Sequence, residues 1–141
     1  MKQQKFKIPS LIALMLITGS LFISSCGEED PTASVSINET GSDLGGDVTG
    51  DGGSTVRSYK WNNSLRTIDY NMDITAAKGG SFTLSVADAD GTSVLNQTLV
   101  VGQGDDSKSG VSATGTSGEW TITVTLTDFN GDGSFSISPG N

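Results

Sequence analysis

The chain has 141 residues, with sixteen Asp and Glu against eight Lys and Arg, one Cys and no His. That length allows a single domain once a leader is set aside. One Cys excludes an internal disulfide, and the lack of His removes the usual Ser-His-Asp and Cys-His machinery together with the common zinc sites.

Lys2, Lys5 and Lys7 precede an apolar stretch from Ile8 to Ile23. A helix over that stretch would reach ~24 Å, short of the ~30 Å hydrocarbon core of a bilayer. Thr18, Gly19 and Ser20 also interrupt it. Residues 1–25 therefore read as a signal peptide rather than a transmembrane helix. Its end, Ile23-Ser24-Ser25-Cys26, resembles the lipobox of bacterial lipoproteins: an aliphatic residue, two small ones, then Cys. The resemblance implies diacylglyceryl attachment to the Cys26 sulfur, cleavage before Cys26 and acylation of the new N-terminus. Two or more acyl chains hold a protein stably where one does not. Gly27-Glu28-Glu29-Asp30 is similar to the acidic signal that sends some lipoproteins to the outer face of the outer membrane. Lipidation at Cys26 and an outer-membrane location facing the cell exterior are thus expected. After Cys26 five basic residues face sixteen acidic ones, a net −11. Such a surface repels nucleic acid, which is excluded as a partner, and attracts cations.

Residues 26–53 read as an acidic, Gly-rich tether with room for one strand. Ala33 to Asn38 alternates, with Val35 and Ile37 on one face. Gly41 to Gly53 holds so many glycines and aspartates that a flexible loop is expected. Residues 54–141 carry sustained alternation. Ser54 to Asn62 sets Arg57, Tyr59 and Trp61 on one face. Leu65 to Ala76 sets Ile68, Tyr70, Met72 and Ile74 inward, and Lys78-Gly79-Gly80 reads as a turn. Ser81 to Ala87 points Phe82, Leu84 and Val86 inward, and Asp88-Ala89-Asp90-Gly91 turns the chain. Thr92 to Val101 forms a strand of uncertain face, because Val94 and Leu95 are adjacent. Gly102 to Gly110 is a polar loop and Val111 to Thr114 a weak strand. Trp120, Ile122, Val124 and Leu126 then alternate with Thr121, Thr123 and Thr125, Asn130-Gly131-Asp132-Gly133 reads as a turn, and Ser134 to Ser138 closes the chain.

Seven or eight short strands with turn chemistry between them predict an all-β fold, an antiparallel β-sandwich of jelly-roll or immunoglobulin-like connectivity. The segment from Phe82 to Ile137, with Asp88-Ala89-Asp90-Gly91 and the later Gly118-Glu119-Trp120-Thr121, is loosely similar to jelly-roll domains of secreted bacterial proteases. That resemblance implies a fold class only.

Two candidate sites emerge. Asp128-Phe129-Asn130-Gly131-Asp132-Gly133 resembles the opening of a calcium loop, with Asp128, Asn130 and Asp132 offering oxygens at alternate positions. Pro139 stands where a closing Glu belongs, which excludes an EF-hand, and a hairpin turn explains the same residues. Asp88 with Asp90, and Asp105 with Asp106, are weaker acidic pairs. Tyr59 and Trp61, beside Arg57, could stack a sugar ring in the way that exposed aromatics serve many carbohydrate-binding modules, or could be core residues. Most Asp residues fall in turns, and no Gly-rich phosphate loop with its Lys occurs. No catalytic residue is therefore expected. The sequence reads as a lipid-anchored envelope protein that binds a partner or serves a structural role. The alternative is a glycan-binding module, with or without calcium.

Overall fold

The computed structural model describes residues 29–140. Cys26 and the leader lie outside the described residues. Seven strands run in chain order: β1 Ala33–Val35, β2 Asn38–Thr40, β3 Asp43–Asn63, β4 Ile68–Ala87, β5 Ser93–Val100, β6 Ser107–Val111 and β7 Gly118–Pro139. Every pairing is antiparallel. The fold is all-β, as the alternation predicts, and no helix among the described residues is long and apolar enough to cross a membrane.

Three strands dominate. β7 lies between β3 and β4, and the path across the sheet is β1-β3-β7-β4-β5, with β2 on β3 and β6 on β4. A straight strand of 22 residues such as β7 would run about 73 Å. That is far longer than a domain with a radius of gyration near 13 Å can hold, so the long strands must bend. Their register shifts fall along one line. β3 shifts at Asp51, Gly53 and Thr55, and β4 shifts between Ile74 and Ser81, where both face the Phe129–Asn130 region of β7. This line is a crease that folds one hydrogen-bonded sheet into two leaves.

The first leaf holds β1, β2, β6, the first halves of β3 and β4, and the second half of β7. The other leaf holds β5 and the remaining halves. Ties between the leaves show that they face each other. Lys108 Nζ on β6 donates to the Thr98 carbonyl on β5 (2.8 Å), and the Trp61 indole N–H donates to the Ser42 carbonyl (3.2 Å). The space between them is filled by one apolar core that includes Leu44, Val48, Met72, Phe82, Leu84, Trp120, Val124 and Phe135.

Backbone chemistry explains the crease. Gly80 has φ of +86°, a conformation that side chains with a Cβ rarely adopt, and a Cβ there would collide with the Asp128 carbonyl. Asp128 on the neighbouring strand is also left-handed, at φ 46°. Its strain is met by Ser54, whose Oγ accepts from the Asp128 N–H (2.8 Å) and donates to its carboxylate (3.3 Å).

Several expectations change. Gly41 to Gly53 is not a loop: from Asp43 onward it is the first half of β3. Its glycines serve close approach, since a Cβ at Gly46 would strike the Ser36 carbonyl of the crossing segment. Lys78-Gly79-Gly80 and Asn130 to Gly133 are not turns between strands but parts of β4 and β7 that continue through the crease. The weak strand expected at Val111 to Thr114 lies earlier, as β6. The ambiguity at Val94 and Leu95 resolves through a bulge. Val86 pairs with Leu95 and Ala87 with Ser93, so both Val94 and Leu95 turn inward and are 6% exposed. The inward faces of Ile68, Met72 and Ile74, of Phe82 to Val86, and of Trp120 to Leu126 stand as the alternation predicts.

Candidate functional site

Beyond the crease, the β3 backbone pairs among the described residues with β7 alone, so its other edge from Thr55 to Asn63 has no strand partner there. β1 pairs with β3 before the crease, at Val48 to Gly50, and does not follow it round. Ser36 extends β1 by bonding its N–H to the Asp47 carbonyl (2.9 Å) and its Oγ to the Asp47 N–H (3.2 Å). A groove therefore opens between residues 33–37 and residues 55–59. Two adjoining depressions of about 370 and 260 Å³ occupy it, and Val35 and Arg57 line both.

Alternation along β3 decides what faces the groove. Tyr59 is half-buried and packs against the core beside half-buried Val35 and Ile37. Arg57 is exposed. Glu39, which the β2–β3 hairpin brings across from the other leaf, is the carboxylate that acts on the Tyr59 phenol. Its hydrogen-bonding pull, with partial burial and its nearby charge, raises the Tyr59 pKa above its usual 10.0. The ring is thus neutral at physiological pH, with a guanidinium and the Ser36 and Ser58 hydroxyl-bearing residues around it.

Trp61 does not join it. Although it shares a face with Tyr59, it is only 4% exposed and its indole N–H is committed to Ser42. Trp61 is a core residue and presents no ring face to a sugar. Glu39 is the residue that sequence reasoning missed. It lies twenty positions from Tyr59, and only the hairpin brings it near.

Asp128, Asn130 and Asp132 all lie on β7, which stays paired to β3 and β4 as it bends through the crease. The turn between strands expected there does not form. The Asp128 carboxylate accepts from Ser54 Oγ (3.3 Å). Among the described residues, no group of three His, Cys, Asp or Glu is placed to hold a metal ion.

Asp88 is a brace. Its Oδ1 accepts from the N–H groups of Asp90 (3.0 Å) and Thr92 (2.8 Å), and its Oδ2 accepts from Thr116 N–H (2.8 Å). Asp90 in turn accepts from the Thr116 hydroxyl (2.7 Å). The Thr116 bond, followed by those from the turn, holds the Asp88 pKa below its usual value against the opposing effect of burial. The pair ties the β4–β5 turn to the segment entering β7. Asp105 and Asp106 are exposed before β6.

The outer face of the first leaf is polar. Asp47, Ser134, Asp73 and Ser107 stand in register across four strands, next to Ser136, Asn71 and Ser109. Ser134 Oγ donates to Asp73 (2.6 Å). Among the described residues, no exposed aromatic ring accompanies them.

No protein-family model matches the chain, and no curated protein sequence matches it. Among solved structures, TmCBM61 in complex with β-1,4-galactotriose is similar over 78% of this chain and 87% of that one, at 13% identity and a TM-score of 0.43. The family 11 carbohydrate-binding module of cellulosomal cellulase Lic26A-Cel5E of Clostridium thermocellum is similar over 80% and 84%, at 12% identity and a TM-score of 0.39. Arabinose-bound MgGH51 α-L-arabinofuranosidase is similar over 77% of this chain but 22% of that one, at 12% identity and a TM-score of 0.40. With TM-scores below 0.5, none of these likenesses assigns a family or a ligand to this chain.

Proposed function

We propose that the protein is a non-catalytic glycan-binding module, held at the outer membrane by acyl chains on Cys26, and that the sugar lies in the groove between β1 and the unpaired edge of β3. One observation carries this reading: a half-buried Tyr59 ring in a groove that also holds a guanidinium. Sugar recognition uses a flat apolar face for the C–H side of the ring and polar groups for its hydroxyls. Both are present within five residues of one strand.

The test is titration of the protein against a panel of oligosaccharides, with Tyr59→Ala as the control. Binding to at least one glycan that falls by tenfold or more in the variant supports the groove. Equal binding by both proteins moves the site elsewhere. For the anchor, Cys26→Ala should release the protein from the membrane fraction, and persistence there would remove lipid from the account.

A second reading rests on the same edge. An unpaired strand from Thr55 to Asn63 is a template for strand addition by a protein partner. Capture of an extended peptide that is lost when Ser58 is replaced by Pro, with glycans inert, would favour it.

A further inference from the structure

The groove sits on a domain whose charge is overwhelmingly negative, yet it carries a cation. The five basic residues beyond Cys26 differ in what they do. Lys60 pairs with Glu119 at 3.4 Å. Arg66 Nε donates to the Gly115 carbonyl at 3.1 Å, and Lys108 donates to Thr98 across the leaves. Lys78 lies at the crease and lines none of the depressions described above. Arg57 alone combines an uncommitted guanidinium with a place in a groove. It lines both depressions, and it forms no ion pair and no side-chain hydrogen bond among the described residues.

From this arrangement we infer that the groove selects a glycan bearing an anionic group, a uronate carboxylate or a sulfate ester, which Arg57 grips while Tyr59 carries the neighbouring sugar face. The inference rests on the glycan reading above and specifies its ligand. A planar fork of N–H donors fits the paired oxygens of a carboxylate or sulfate, and charge-assisted bonds are about twice as strong as neutral ones. The rest of the domain limits how much charge the ligand can bring. With a net −11 and one free cation in the groove, a densely charged polyanion meets repulsion along most of its length. The favoured ligand therefore carries one isolated charge among neutral sugars.

Isothermal titration calorimetry of the full chain in detergent micelles tests this with four probes. They are a xylo-oligosaccharide bearing one glucuronate, its unsubstituted parent, a galacto-oligosaccharide with one sulfate, and its unsulfated parent. At least one charged probe should bind roughly ten- to a hundredfold more tightly than its parent. Which of the two does so identifies the anion. Arg57→Gln should reduce that ratio to near one, and Arg57→Lys should restore part of it. Raising NaCl from about 50 to 500 mM should shrink the ratio by screening. Thermal melts of both variants should match the native protein, since Arg57 is exposed and unpaired. Equal affinity for charged and neutral probes, or a preference that survives Arg57→Gln, overturns the inference while the glycan reading stands. Absence of binding to all four probes and to the wider oligosaccharide panel overturns both.

Discussion

The rings of Phe82 and Phe135 meet at 6.4 Å between centroids and 62° between planes, although one belongs to β4 beyond the crease and the other to β7 on the opposite leaf. Both are almost fully buried. The contact joins the leaves at the centre of the core, where edge-to-face geometry adds to area burial.

Phe135→Ala should therefore cost about 3–5 kcal/mol of unfolding free energy, a large share of a small domain's stability. Denaturant titration measures it. Phe135→Leu should retain part of the loss, because it fills some of the void. A loss under about 1 kcal/mol for the Ala variant would mean that the leaves do not close on each other as described.

Gly80→Ala tests the crease. The substitution forces a Cβ into a left-handed residue and against the Asp128 carbonyl. Such a change costs more than the roughly 1 kcal/mol that Gly-to-Ala replacement gains elsewhere. The melting temperature should fall by on the order of 10 °C, whereas Gly91→Ala, with open space around it but also φ of +82°, should fall by less. Equal effects would show that backbone strain alone, and not the crossing strand, sets the requirement.

Asp88 makes stability depend on acid. Its folded pKa lies below its usual value of 3.8, so the carboxylate binds fewer protons folded than unfolded. The stabilisation is complete above the unfolded pKa and is lost as pH falls through the folded one. Asp88→Asn keeps the shape but turns an N–H donor toward Thr116, or loses the acceptor there. The gap in melting temperature between native and Asp88→Asn proteins should be widest at pH 6–7, on the order of 10 °C, and should narrow below about pH 4. A gap that does not change with pH would sink the assignment.

Lys60 and Glu119 should matter little. Their side chains are 62% and 67% exposed, and screened surface pairs contribute below about 0.5 kcal/mol. A double-mutant cycle that returned more than about 1 kcal/mol would contradict this.

The fold class and the inward faces were legible because period-2 alternation is written into Phe82 to Val86, Ile68 to Ile74 and Trp120 to Leu126. What was not legible is continuity. Glycines and aspartates in Gly41 to Gly53, at Gly79-Gly80 and at Asn130 to Gly133 have the chemistry of turns. In this protein the same residues permit bends and backbone crossings inside strands that go on pairing. Local composition cannot tell a strand that stops from one that folds over, since the difference lies in which distant carbonyl occupies the missing Cβ. The site was half legible. Tyr59 and Arg57 share a face that alternation reveals, but Trp61 shares it too, and only the Ser42 carbonyl arriving from the β2–β3 hairpin separates core from groove.

Because the same three backbones run through both layers, neither layer is a module in its own right. Loosening one withdraws the hydrogen-bonded frame of the other, so melting should proceed as a single event, with matched amide exchange rates at Met72 and Leu84 on either side of the bend. The domain then exists as only two species, intact or fully open, with no half-folded remnant bearing a naked apolar sheet.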